Sequence, residues 1–196
     1  MPFVNPFPNP YPAATPQLSY SNNFNPPTPG SDYQDSGAGS DDVVTGVASG
    51  YITFGCLVVN DGSVSTTLQG GIGQGVKHPT SQGDLNGGIV GVVMKTAAME
   101  SRRDAYPPSY MPGDPINIKR VGKIWTAVEN GCAVHDPVYV RTVANSGNGC
   151  TQLGAFASAA DSSNNINLSA TLPIHWLTAQ ATPGGPAAID FNFLGQ

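Results

Sequence analysis

Charge is scarce in this 196-residue chain: Asp, Glu, Lys and Arg together make up 11% of it, against roughly 25% in an ordinary soluble domain. Basic residues are the scarcer sign, eight against thirteen acidic ones, and none occurs before Lys77. The net charge of −5 and the pI near 4.8 argue against a nucleic-acid partner, because such a protein needs clustered Lys and Arg to displace counterions from phosphates. The densest basic cluster, Arg102 with Arg103, reads as a solvated loop. Long apolar runs are missing as well. The best stretch, Gly87 to Met94, falls far short of the roughly 20 residues that a membrane span needs. The N-terminus also lacks the positive and apolar regions of a signal peptide. No membrane contact is expected, and the product should stay where it is made.

Cysteine is equally sparse. Cys56, Cys132 and Cys150 cannot all pair within one chain, and their spacings match no zinc pattern. They read as reduced thiols, small side chains suited to burial. Cys132-Ala133-Val134-His135 could supply two metal ligands and Cys150 a third, but no second closely spaced pair completes the set, so no metal or cofactor is expected. His78, His135 and His175 are scattered, and Glu100 and Glu129 are the only glutamates. There is no Gly-x-Ser-x-Gly elbow. Gly70-Gly71-Ile72-Gly73-Gln74-Gly75 lacks the Lys of a phosphate-binding loop and reads as a surface loop. No nucleophile, base or ligand cluster is left to carry catalysis.

What the chain has in abundance is Gly and Pro, 24 and 18 residues. Both disfavour helices, by about 1 and 3 kcal/mol relative to Ala. Nine of the prolines fall in the first thirty residues, where Asn5-Pro6-Phe7-Pro8 is echoed by Asn9-Pro10-Tyr11-Pro12. Such a segment suits neither a helix nor a central strand. In a polyproline II path of about 3.1 Å per residue, forty residues would span roughly 120 Å, while a 155-residue globule has a radius of gyration near 15 Å. Residues 1–40 are therefore expected to form an extended arm, with a hinge at Ser31 to Ser40, that leaves the β domain of residues 41–196. Phe3, Phe7 and Tyr11, with Tyr20 and Phe24, are the rings it would offer to a partner.

From Val43 onward the pattern predicts strands. Tyr51 to Val59 is followed by a hairpin turn at Asn60-Asp61-Gly62. Further strands are expected at Ile89 to Met94, Ile116 to Ile118, Lys123 to Val128 and Val138 to Val143. At the end Ile189, Phe191 and Phe193 alternate with Asp190 and Asn192, the period of a half-buried strand. Only Thr96 to Asp104 leans towards helix. The spacing predicts an all-β sandwich or barrel, with Trp125, Val138, Val140, Phe156, Ile189, Phe191 and Phe193 in its core.

Four segments taken in order carry a family likeness. They are Ile52-Thr53-Phe54-Gly55-Cys56-Leu57-Val58-Val59; Gly88-Ile89-Val90-Gly91-Val92-Val93; Gly122-Lys123-Ile124-Trp125-Thr126-Ala127-Val128-Glu129 with Asp136-Pro137-Val138-Tyr139-Val140-Arg141; and Leu172-Pro173, Trp176-Leu177-Thr178-Ala179 and Gly184 to Asn192. From about Val43 to Asn192 the chain resembles the structural cement, or capsid decoration, proteins of tailed double-stranded DNA phages. The resemblance implies a non-enzymatic, jelly-roll-like β protein. It would be made in the host bacterial cytoplasm and would dock on the outside of the virion as dimers or trimers, with the major capsid protein and copies of itself as partners. Where the family carries Gly before Asp-Pro this chain has His135, which predicts a turn without positive φ. The arm also looks longer and richer in proline than the family's. A carbohydrate- or receptor-binding β module is the alternative, favoured if aromatic rings stand exposed on the domain.

Overall fold

The computed structural model describes residues 28–33, 42–65, 73–86, 88–95 and 109–194. Strands β1 (Asp42–Ala48), β2 (Ile52–Thr53), β3 (Leu57–Ser65) and β4 (Gly73–Lys77) precede a single helical turn, α1 (Gln82–Leu85). After it come β5 (Ile89–Val93), β6 (Ser109–Tyr110), β7 (Pro115–Ala127), β8 (Tyr139–Arg141), β9 (Phe156–Ala157), β10 (Asn165–Asn167), β11 (Ile174–Trp176) and β12 (Pro186–Asn192).

The main sheet closes on itself. Its order runs β1-β4-β3-β5-β7, and β7 returns to pair with β1, so these five strands expose no open edge to each other. The 13-residue β7 performs two tasks. Its first half sits in the barrel between β1 and β5, and its second half, Val121 to Ala127, pairs with β12, which carries β11 outside the ring. A three-stranded sheet, β10-β8-β9, and the short β2–β6 ribbon complete the layers.

Two apolar clusters result among the described residues. In β3 the run Leu57-Val58-Val59 is wholly buried, yet its neighbours belong to different cores, because successive residues in a strand face opposite sides. Val58 joins Ile52, Val76, Ile116 and Ile118. Leu57 and Val59 join Val140, Phe156, Trp176, Ile189 and Phe191 between β12 and the three-stranded sheet. Phe191 and Phe193 stack with ring centroids 4.8 Å apart.

The all-β barrel expectation and the alternation of Ile189, Phe191 and Phe193 hold, while four local expectations are corrected. Asn60-Asp61-Gly62 is not a hairpin turn but a bulge within β3: Asn60 accepts the Gly62 N–H and Asp61 accepts the Ser63 N–H, at 2.8 and 2.7 Å, and pairing with β4 resumes at Val64. Gly73 to Gly75 belong to β4 rather than to a loop. The strands expected at Ile116 to Ile118 and Lys123 to Val128 are one strand, β7. Trp125 is half-buried, since Ile124 takes the core-facing position; Trp125 lies on the opposite face against Tyr33, ring centroids 5.3 Å apart. The expected helix at Thr96 to Asp104 lies outside the described residues.

Candidate functional site

The segment Thr28 to Tyr33 is laid along the second half of β7. Gly30 N–H donates to the Trp125 carbonyl at 2.7 Å, Trp125 N–H donates to the Ser31 carbonyl at 2.9 Å, and Lys95 N–H donates to the Gly30 carbonyl at 2.8 Å. The side chains add a second fastening. Asp32 receives the ammonium of Lys119 at 2.5 Å, and that ammonium also donates to the Lys123 carbonyl at 3.1 Å. The Lys119 side chain is 2% exposed and that of Asp32 is 47% exposed. A buried cation thus meets the only charged side chain in the first thirty-three residues. Of the hinge expected at 31–40, residues 31–33 are bound to the barrel in this way, and 34–40 lie outside the described residues.

Beside this root lies a cleft of about 650 Å³. Thr28 and Pro29 form one wall, Thr53 to Cys56 the floor, and Thr126 to Glu129, Asn148 to Gln152, Ala155 and Pro183 the rest. The floor is held still: Thr126 Oγ1 donates to the Gly55 carbonyl at 2.6 Å, and Gly55 N–H donates to Val93 at 2.9 Å. Cys56 is buried there, and burial, with Glu129 nearby, pushes its thiol up to about 12. It is no nucleophile at neutral pH. Burial also lowers the His78 imidazole, which contacts the Leu57 carbonyl at 3.4 Å.

One wall of the cleft leads to an ionic cluster. Arg141, at the end of β8 and 1% exposed, grips Glu129 with two parallel bonds of 2.6 and 2.8 Å and Asp161 with a third of 2.9 Å. Asn145 and Asn148 also donate to Asp161. Bidentate pairing of this kind fixes orientation as well as charge. Hydrogen bonds, those from Asn145 first and from Arg141 next, hold the Asp161 carboxyl below the usual range. Both carboxylates are committed to Arg141, which fits a latch on the 143–165 loops better than general acid/base work.

The rings expected to act as contacts, Phe3, Phe7, Tyr11, Tyr20 and Phe24, lie outside the described residues. Among the described residues no three His, Cys, Asp or Glu side chains come together as metal ligands. Cys132 donates to the Thr178 carbonyl at 3.5 Å, and Cys150 sits in the Asn145–Cys150 turn. His135 stands at φ 76°, so the turn before Asp136 does need positive φ, contrary to expectation. His tolerates that region better than most side chains. Sequence reading missed the Thr28–Tyr33 root, the Lys119 partner and the cleft. The one local signal was Gly55 interrupting an apolar run.

Comparison with protein families matches residues 16–192 to the family described as structural cement protein (E217 gp24/Pam3 gp6). The match takes in the arm root. Among solved structures, a chain of the capsid of Myoviridae phage XM1 superposes with a TM-score of 0.55 at 13% identity, covering 83% of this chain and 92% of that one. At that identity the likeness speaks for the fold. Comparison with curated proteins finds no match.

Proposed function

Since the chain belongs to the structural cement protein family of phages and so has a structural role in a phage capsid, we propose that it binds the outer surface of a tailed-phage major capsid shell and bridges neighbouring subunits without catalysis. The family match over residues 16–192 carries this reading. The arm root supports it mechanically. A strap transmits tension only if its inner end is fixed, and the Asp32–Lys119 pair and the bonds to Trp125 and Lys95 supply that anchorage.

The protein works as a dimer or trimer made in the host cytoplasm, with the major capsid protein and its own copies as partners and no cofactor, nucleic acid or membrane. Phe3, Phe7, Tyr11, Tyr20 and Phe24 are its outlying contacts. Binding the closed shell in preference to the disrupted one stabilises it by mass action, and many copies per particle turn weak contacts into a firm hold. The carbohydrate-module alternative gains little: Tyr51 is the one Phe, Tyr or Trp among the described residues that stands exposed. Sedimentation of capsids with and without the purified protein tests the proposal. The protein should pellet with them and raise the temperature at which they release DNA; protein left in the supernatant refutes it.

A further inference from the structure

We infer that the cleft beside the arm root receives the Asn5–Pro12 repeat of a second copy of this chain, an exchange that rests on the cement reading above. The cleft has the size of sites that take compact ligands, roughly 300 to 1,000 Å³, and its apolar lining comes from Pro29, Phe54, Ala127, Ala155 and Pro183. Its polar groups are largely engaged within the domain: Thr126 binds the Gly55 carbonyl, and Gln152 donates to the Leu153 carbonyl at 2.8 Å. Such a surface rewards burial of rings and pyrrolidines.

The repeat offers the matching chemistry. Four prolines and two aromatic rings occur in its eight residues, and prolines withhold the N–H groups that sheet pairing would use, leaving side-chain burial to hold the segment. No charged side chain precedes Asp32, so nothing in the arm conflicts with Glu129 or Lys95 at the cleft margin.

The path of the chain selects a second copy over the same one. The 27 residues before the described arm root end at Thr28, itself a wall of the cleft. The sequence before it, Asn25-Pro26-Pro27, is one that favours extended backbone. No glycine occurs before Gly30 to ease a reversal. A polyproline II path from Pro12 to Thr28 would measure some 50 Å at about 3.1 Å per residue, well beyond the roughly 15 Å radius of the domain. In a closed symmetric assembly every cleft can then receive one arm.

Cys150 lines the cleft and provides a native reporter. Asn9→Cys places a thiol between Phe7 and Tyr11 without removing either ring. Oxidation of capsids decorated with full-length Asn9→Cys protein should give a disulfide-linked pair of chains, absent from the wild type and abolished by Cys150→Ser. Thr151→Trp, at an exposed position on the cleft margin, should lower the yield roughly tenfold with no change in thermal midpoint. Co-sedimentation without the link, a link closed inside one chain, or a link indifferent to Thr151→Trp overturns the exchange and leaves the cement reading standing. Protein that does not pellet with capsids overturns both.

Discussion

Gly30 and Gly55 meet backbone to backbone, both at positive φ, 84° and 72°. A Cβ on Gly55 would stand 2.8 Å from the Gly30 nitrogen and 3.0 Å from the Pro29 Cβ; one on Gly30 would stand 2.9 Å from the Phe54 Cβ. Glycine at both positions lets the arm root approach the cleft floor closely enough to bond with Lys95 and Trp125.

Gly55→Ala should therefore lower stability by roughly 1–3 kcal/mol, the cost of a side chain forced into left-handed backbone with no room to relax. The Trp125 amide, bonded to Ser31, should lose hydrogen-exchange protection. Adding Gly30→Ala should cost less than the sum of the two, because both remove the same approach. Additive losses in denaturant titrations would show that the two glycines act separately.

His135→Gly should stabilise the protein. A non-glycine residue in the left-handed region costs about 1–2 kcal/mol, and the larger unfolded-state entropy of glycine returns about 0.5–1 kcal/mol of that. The surrounding turn, with Ala133 N–H bonded to the Asp136 carboxylate at 2.7 Å, stays in place. A thermal midpoint higher by roughly 1–4 °C is expected; a fall would mean that the imidazole makes contacts outweighing the strain.

The readable parts of this fold are those whose signal is local. Ile189, Phe191 and Phe193 alternate with polar residues because one face of β12 meets the larger core. Gly55 was visible, but its partner Gly30 lies 25 positions away, and no local pattern announces such a meeting. Arg120, Val121, Gly122 and Lys123 broke the apolar pattern of β7 because they lie half-buried where the strand passes from barrel to outer sheet. Asp61-Gly62 has the composition of a hairpin turn, yet the Gly62 and Ser63 N–H groups donating to the Asn60 and Asp61 side chains make it a bulge. Arg141, Glu129 and Asp161 come from separate loops and strands, and the cleft from several segments. Such convergence is a property of the fold and leaves no spacing to read.

Phe191→Ala should cost about 3–5 kcal/mol, the range for truncating a buried Phe that leaves a cavity. Phe191 is 2% exposed, stacks on Phe193 and pairs in register with Ile174 and Gly122. Urea titration reads the loss. A cost under about 1 kcal/mol would place the ring outside the cooperative core.

Acid should loosen the 143–165 loops. Asp161 is held below the usual range by Asn145 and Arg141. Asp84 is lowered to about 2, first by the Thr80 N–H, with burial opposing and the Thr80 hydroxyl and Lys77 adding. A depressed folded value means the contribution is fully present above the ordinary Asp pKa of about 3.9 and is lost as pH falls through the folded value. The thermal midpoint should drop between about pH 4 and pH 2, the window of Asp84, and the gap between wild type and Asp161→Asn should narrow as pH falls below the ordinary Asp value. A gap that stays constant would show that the pairing contributes nothing that titration removes.

Removal of residues 1–27 should separate the strap from the domain that holds it. The cut belongs before Thr28, because Thr28 to Tyr33 are bonded to β7 and Lys95 and carry the Asp32 carboxylate to the Lys119 ammonium. The shortened chain should keep its thermal midpoint, since the two apolar clusters of the described residues are built from Val44 to Phe193, and should be shed from capsids at a lower temperature than the full chain. Removal of residues 1–33 should instead destabilise the domain itself, by about 1–3 kcal/mol: it takes the carboxylate from a buried ammonium, and the half-exposure of Asp32 keeps the cost below that of a fully buried pair. The comparison divides retention from folding. Equal retention of the full chain and the 1–27 deletion on heated particles would remove the strap while leaving the barrel as the cementing element, and loss of folding on that deletion would make the arm part of the domain.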